Sequence, residues 1–273
     1  MLRLLIGLGF LVLLSAANNA GAGTFTFQIV GDQFTYSDAN RVVTGRAFVP
    51  PGPGPHGALI LNHGQGGAPA SFPNWSSFSS WGVVLLAPEL THVGGGATDP
   101  ENTGFNPENS ARITACLDAL ESLAYVDPAR IGVFGHSKGA YATIGSVAGF
   151  GARVRAAAIT AGGIVPDNFG TDQAAPTYTE ASGIVAPFLM LHGDVDGSVP
   201  PQRSLDLANQ LSLAGIENFR HLYDVGALLP QTQHNFHQDP TINADLVVRL
   251  YNWFNAHGLF TAAEAPMFRD GYE

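Results

Sequence analysis

The chain reads as an α/β protein, with a mostly parallel central sheet covered by helices on both faces and an antiparallel hairpin leading into it. Three observations carry this reading. From residue 58 onward, short apolar runs alternate with segments of helical period, the arrangement that buries a parallel sheet between two helical layers. Within residues 24–29, Phe25, Phe27 and Ile29 alternate with polar neighbours, and a similar pattern runs over 41–49, as in half-buried antiparallel strands. At 130–148 an apolar run enters Gly135-His136-Ser137-Lys138-Gly139 and leaves as a small-residue segment of helical character, which is a strand, a sharp turn and a helix in succession.

Taken in order, residues 2–14 form an apolar run around Arg3, followed by Ser15-Ala16-Ala17 and Ala20-Gly21-Ala22, both shaped like small-residue cleavage sites. Residues 1–22 are therefore expected to be a signal peptide, removed after Ala17 or Ala22, with 23–273 forming a single domain. The run of about 13 apolar residues falls short of the roughly 20 that span a bilayer. No stable membrane anchor is expected after its removal, and the mature chain is expected to be secreted or periplasmic. No cysteine lies near the cleavage region, so lipid attachment there is excluded.

The hairpin comes next, and Pro50-Pro51-Gly52-Pro53-Gly54-Pro55 then interrupts regular structure. Strands are expected at 58–62, 83–87, 130–134, 155–160, 187–191 and 219–224. The helices between and after them fall at 73–81, 110–123, 138–148, 202–214 and 242–257. Asn109 or Ser110 is placed to cap the second helix, and Gly215 and Gly258 stand just past the ends of the last two. The segments 91–107 and 162–186 lack periodicity and follow strands, so they are expected at the carboxyl edge of the sheet, where open α/β folds bind ligands.

Composition narrows the function. The chain has 273 residues, 45% of them hydrophobic and 12% charged, enough to build a sizeable core within one domain. Its net charge of −10 and the absence of any Lys or Arg run argue against nucleic acid and anionic membranes as partners. Cys116 is the only cysteine, so no internal disulfide forms. It shares a helix face with Ile113, Leu117, Leu120 and Leu123 and is expected to be a buried thiol. Nine histidines are present, yet no His-Glu-x-x-His or paired Cys/His spacing appears, so no metal is expected. Gly66-Gly67 and Gly94-Gly95-Gly96 do not fit nucleotide-loop spacing and read as turns, so no cofactor is expected.

The chemistry centres on Ser137. The sharp turn lifts its hydroxyl above the sheet edge, and it sets the backbone N–H of Lys138 at a helix N-terminus, facing the place where an oxyanion would form. The Lys138 side chain is expected to reach solvent. A serine hydroxyl needs a base within hydrogen-bond reach and an acid that orients the base. After the strand at 187–191 come Asp194 and Asp196, in His192-Gly193-Asp194-Val195-Asp196-Gly197-Ser198-Val199-Pro200. After the strand at 219–224 come His234 and His237. His221, inside that strand, is expected to pack or face solvent. Phe72, Trp75, Phe78 and Trp81, spaced by three, mark a packed helix face, with Phe72 and Trp75 nearest a pocket.

The order Ser, Asp, His along the chain is that of the α/β-hydrolase superfamily. Through His63-Gly64, residues 135–139, residues 193–200 and His234-Asn235-Phe236, the chain resembles the dienelactone-hydrolase-like branch of that superfamily over nearly all of its mature length. The resemblance implies an α/β-hydrolase fold. It selects Asp196, three residues before Val199-Pro200, as the orienting acid, and leaves Asp194 to stabilise its loop. It also selects His234, two residues before Phe236, over His237. In that branch the His-Gly loop supplies a second oxyanion N–H, which here implies Gln65 beside Lys138, with His63 holding the loop. Dienelactone hydrolases in the strict sense carry cysteine where this chain has Ser137. The resemblance therefore implies a serine hydrolase that cleaves carboxylic esters through an acyl-enzyme, with a small-molecule or lipid-like ester as substrate. A lipase, polyesterase or peptidase uses the same scaffold, as does a binding protein without catalysis.

Overall fold

The computed structural model describes residues 14–15, 24–93, 104–168 and 175–261. Apart from Leu14 and Ser15, the expected signal peptide lies outside the described residues. Ten strands make one sheet: β1 Leu14–Ser15, β2 Thr26–Val30, β3 Gln33–Ser37, β4 Val42–Phe48, β5 His56–Asn62, β6 Val84–Pro88, β7 Val126–His136, β8 Ala156–Thr160, β9 Phe188–Gly193 and β10 Asn218–Tyr223. Among the described residues seven α-helices accompany the strands: α1 Trp75–Ser79, α2 Pro107–Ser122, α3 Lys138–Phe150, α4 Tyr178–Ala181, α5 Gln202–Leu213, α6 Pro230–His234 and α7 Pro240–Ala256.

The spatial order of strands is β1-β2-β3-β4-β6-β5-β7-β8-β9-β10. The strands from β6 through β10 run parallel, and β2, β3 and β4 add an antiparallel edge that joins at β6. Chain connections leave β5 toward β6 on one side and reach β7 on the other, so the sheet reverses direction of winding between β5 and β7. The crevice beyond the carboxyl ends of two such strands is where this architecture takes ligands.

β2, β3 and β4 form a three-stranded meander, with β1 antiparallel to β2 outside it. The alternating 24–29 segment pairs with Gln33–Ser37, which lies between it and Val42–Phe48. Val30 lies opposite Gln33, so Gly31-Asp32 is a two-residue turn, and Gly31 takes the positive φ of 62° that such a turn demands.

Side chains alternate between two cores. On one face Ala58, Ile60, Val84, Leu86, Ile131, Val133, Ala157, Ile159, Phe188 and Met190 meet α2, α3 and α5 through Ile113, Cys116, Leu117, Leu120, Ile144, Val147, Leu207 and Leu211. On the other, Leu59, Leu61, Leu85, Phe134, Ala158, Leu189 and Leu191 meet Phe78 and Trp81, and also α7 through Leu246, Leu250, Tyr251 and Phe254. Burial on both faces explains why these strands read as unbroken apolar runs. Cys116 is fully buried, and burial raises its thiol pKa so that it stays protonated.

The cap of α2 is Asn106, which accepts from Asn109 N–H at 2.7 Å, and not Asn109 or Ser110. Pro107, which lacks an N–H and has φ preset, starts the helix one turn earlier than its apolar period indicates. Gly215 and Gly258 stand at positive φ just beyond α5 and α7. Among the described residues no helix is long and apolar enough to cross a membrane.

Candidate active site

Ser137 joins β7 to α3 with φ 56° and ψ −121°, a region that costs a non-glycine residue roughly 1–3 kcal/mol. The strain is held by backbone bonds on both sides. Ser137 N–H donates to Thr160 O on β8 at 3.0 Å, and Ser137 O accepts from Ala140 N–H at 2.9 Å and Tyr141 N–H at 3.2 Å. The flanking glycines are needed for close approach. A Cβ on Gly139 would stand 2.5 Å from His63 O, and one on Gly135 would collide with Gly139 O and Thr143 Oγ1.

The hydroxyl so displayed meets His234, at the end of α6. Ser137 Oγ lies 2.8 Å from His234 Nε2, and His234 Nδ1 lies 2.8 Å from Asp196 Oδ2. Because a carboxylate only accepts, Nδ1 carries the proton and Nε2 is left to accept from the hydroxyl. Asp196 is buried, and its other oxygen accepts from Ser198 N–H at 2.8 Å and Val199 N–H at 3.0 Å. Burial alone would raise its pKa. Hydrogen bonds from His192, His234 and Val199 N–H outweigh that and hold the carboxyl well below its ordinary range.

The rival residues go elsewhere. Asp194 is exposed and accepts from Val225 N–H at 3.0 Å, fixing the loop after β10. His237 turns its ring edge to His136, centroids 4.8 Å apart. His221 stacks edge-on against Tyr223.

Gln65 and Lys138 border the same cleft as Ser137 and His234, a space of about 640 Å³ that also touches Tyr141 and Ser198. His63, just before this loop, is buried. It accepts from Leu90 N–H through Nε2 at 3.1 Å, so its proton sits on Nδ1 and points to Gly64 O at 3.0 Å. Burial lowers its pKa, with the Gly64 bond opposing, and His63 holds the loop as a neutral ring.

Lys138 departs from expectation. The residue is only 7% exposed, and Gly104 packs against its backbone so closely that a Cβ there would come within 3.0 Å of Lys138 Cα. Neither Phe72 nor Trp75 borders the cleft among the described residues. Phe72 packs edge-on to Phe78 and Phe134, and Trp75 carries Arg46 over its ring at 4.3 Å. Of the two long segments expected as walls, residues 94–103 and 169–174 lie outside the described residues.

Two functional neighbours were missed by reading the sequence. His136, the residue before Ser137, is buried with Nδ1 2.9 Å from Thr160 Oγ1 and Nε2 3.1 Å from Asn235 Oδ1. His192 Nε2 lies 2.9 Å from Val199 O and 3.5 Å from Asp196 Oδ2, the same carboxylate oxygen that faces His234. Only the histidine-rich composition hinted at either. Among the described residues no cluster of His, Cys, Asp and Glu suits a metal ion.

Fold and site together define an α/β-hydrolase. The dienelactone hydrolase family matches residues 80–258, and the chain belongs to it as a hydrolase of that family. It is 31% identical over 208 residues to the probable dipeptidyl-aminopeptidase B of Metarhizium robertsii, across 62% of this chain and 22% of that protein. The probable dipeptidyl-aminopeptidase B of Verticillium alfalfae is 39% identical over 88 residues, 31% of this chain and 9% of that one. The chain thus spans less than a quarter of the length of these curated relatives. Among solved structures it is similar to Thermogutta terrifontis esterase 2 phosphonylated by cyclosarin, at TM-score 0.63 and 16% identity over 82% of this chain and 92% of that one. It is likewise similar to the acylaminoacyl peptidase of Pyrococcus horikoshii, at TM-score 0.60 and 15% identity over 85% and 42%. At these identities the structural likeness shows the shared fold.

Proposed function

We propose that the protein is a serine hydrolase that cleaves carboxylic esters through an acyl-enzyme. The observation that carries the reading is the unbroken relay from Ser137 Oγ through His234 to Asp196, with both links at 2.8 Å. As Ser137 Oγ attacks the carbonyl carbon, His234 Nε2 takes its proton, and Asp196 steadies the resulting imidazolium through Nδ1–H. The tetrahedral oxyanion rests on the backbone N–H groups of Lys138 and Gln65. His234 then protonates the leaving alcohol, and water repeats the cycle to free the acid.

Two arguments support esters as the substrate class. The cleft of about 640 Å³ beside Ser137 has room for a small or extended ester, and an alkoxide leaves the tetrahedral intermediate more readily than an amide nitrogen does. A peptidase reading has its own support in the relatives named dipeptidyl-aminopeptidase. The leader-like residues 1–22 support secretion or export to the periplasm.

A fluorophosphonate probe should label Ser137 and no other serine, and short-chain p-nitrophenyl esters should turn over faster than aminoacyl and dipeptidyl p-nitroanilides. Anilide turnover above ester turnover would establish the peptidase, and a chain that does not label would be a binding protein. Detection of mature protein outside the cytoplasm, starting after Ala17 or Ala22, tests the leader.

A further inference from the structure

We propose that His92 is a positioning residue that sets the register of the loop bearing Gln65, an inference that rests on the hydrolase reading above. The loop runs from His63 to Gly67 between β5 and α1 and belongs to no helix or strand. It is gripped by the segment that follows β6. His92 Nε2 donates to His63 O at 2.7 Å, Gly66 N–H donates to His92 O at 3.2 Å, and Leu90 N–H donates to the His63 ring at 3.1 Å. The ring and the carbonyl of one residue therefore hold the loop on both sides of Gln65.

His92 is itself held in place. It is fully buried, as is Asn109 on the first turn of α2. Asn109 Nδ2 lies 3.4 Å from His92 Nδ1, and the same side chain donates to Gly104 O at 2.8 Å and accepts from Thr91 N–H at 2.8 Å. With an amide donor at Nδ1, the His92 proton belongs on Nε2, where it reaches His63 O. The His92 and His63 rings meet edge-on, centroids 4.8 Å apart, which leaves little room for sliding.

A backbone N–H stabilises an oxyanion only if it points at the place where charge develops, and losing one such donor costs roughly 10²–10³ in kcat. Displacing Gln65 N–H weakens it without removing it, so the effect should be somewhat smaller. The ground-state carbonyl gains little from that N–H, and KM should hardly move.

The test compares His92→Phe, His92→Asn and His92→Gln with the wild-type chain on a p-nitrophenyl ester, each preparation standardised by active-site titration. Phe keeps ring volume without a donor, Asn carries its amide on a shorter stem, and Gln extends an N–H toward the position of Nε2. We expect kcat per titrated site to fall about 10- to 100-fold in His92→Phe and His92→Asn, with KM within about threefold of wild type. A boronic acid that mimics the tetrahedral intermediate should lose affinity by the same factor as kcat/KM. His92→Gln should recover most of both losses.

Should His92→Phe fail to fold, the contrast between Asn and Gln carries the same test. Wild-type kcat per titrated site in His92→Phe or His92→Asn would overturn the inference, because a purely structural role lowers the folded fraction and leaves that number alone. A wild-type chain that neither turns over ester nor labels at Ser137 would overturn the hydrolase reading and the inference with it, and the two failures are told apart by that control.

Discussion

His136 Nε2 lies 3.1 Å from Asn235 Oδ1, tying the residue before Ser137 to the residue after His234. The bond spans the sheet edge and sets the distance between the hydroxyl and the imidazole. Asn235 Nδ2 donates to Gln231 O at 3.0 Å, so its oxygen is the group that faces His136, and His136 donates. The next residue, Phe236, is fully buried in the core beneath. The end of the short helix α6 is thus pinned by the two residues that follow it, while His234 itself stays at the cleft.

Replacing His136 with Phe should therefore lower kcat by roughly 10- to 100-fold through a looser Ser137–His234 pair, on the order expected when a reacting geometry shifts by about 1 Å. His136→Gln, which retains a donor, should lose less. Steady-state kinetics on a p-nitrophenyl ester, with both variants standardised by active-site titration, measure this.

Ser137→Ala should abolish turnover, by about 10⁶-fold if the relay acts as a unit. Asp196→Asn should cost on the order of 10⁴ in kcat, since an amide in that position favours the wrong histidine tautomer. Asp194→Asn should do little to kcat, because its partner is Val225 N–H and not His234. Equal losses in the two aspartate variants would mean that the acid is not Asp196.

Gly139→Ala should impair both folding and activity. Its Cβ would press on the backbone of Asn62 and His63, the root of the Gln65 loop, and overpacking of this kind costs about 1–3 kcal/mol. Urea denaturation and ester kinetics on the same preparation separate the two losses.

Stability should decline as pH falls from about 6.5 toward 4. Burial lowers the pKa of His237 from 6.5 to about 4, with the neighbouring His234 adding to the effect. Burial also holds His63 below its ordinary value and His136 well below it, the latter assisted by His237 and His234. In this window the unfolded chain binds protons that the folded chain refuses, so unfolding is favoured as pH drops. The stability these groups contribute is full above pH 6.5 and is lost toward their folded values. For His237 alone the shift corresponds to roughly 3 kcal/mol. Thermal unfolding followed at pH 7, 6, 5 and 4 should show a falling Tm, and His237→Asn should flatten part of that slope.

The parallel strands and the turn at Ser137 were legible because each leaves a local mark, a doubly buried apolar run or a pair of glycines. Asp196 and His234 were singled out only by the Val-Pro and x-Phe neighbours that the family resemblance attaches to them, and the structure sets these two side chains 2.8 Å apart. β3 was not legible. Its Phe34 and Tyr36 alternate as cleanly as the strands beside it, and the Gly31-Asp32 turn was the signal passed over. The burial of Lys138 left no local mark, since a lysine next to a nucleophile turn reads as exposed and the close packing of Gly104 on its backbone comes from thirty-odd positions upstream. His136 and His192 were illegible for a similar reason. One partner of His136 is 99 positions away, and an imidazole that serves as a strut has the same letter as one that moves a proton.

The relay joins Ser137, Asp196 and His234 across separations of 97 and 38 residues, and neither of the two connections exists until β7, β8, β9 and β10 have assembled side by side. Such long-range pairings form late, after the entropy of closing large loops has been overcome. Recovered turnover in a refolding experiment is therefore a clock for completion of the sheet. It should lag the return of helical signal, and the delay between the two measures how long the chain spends with its secondary structure formed and its chemistry unassembled.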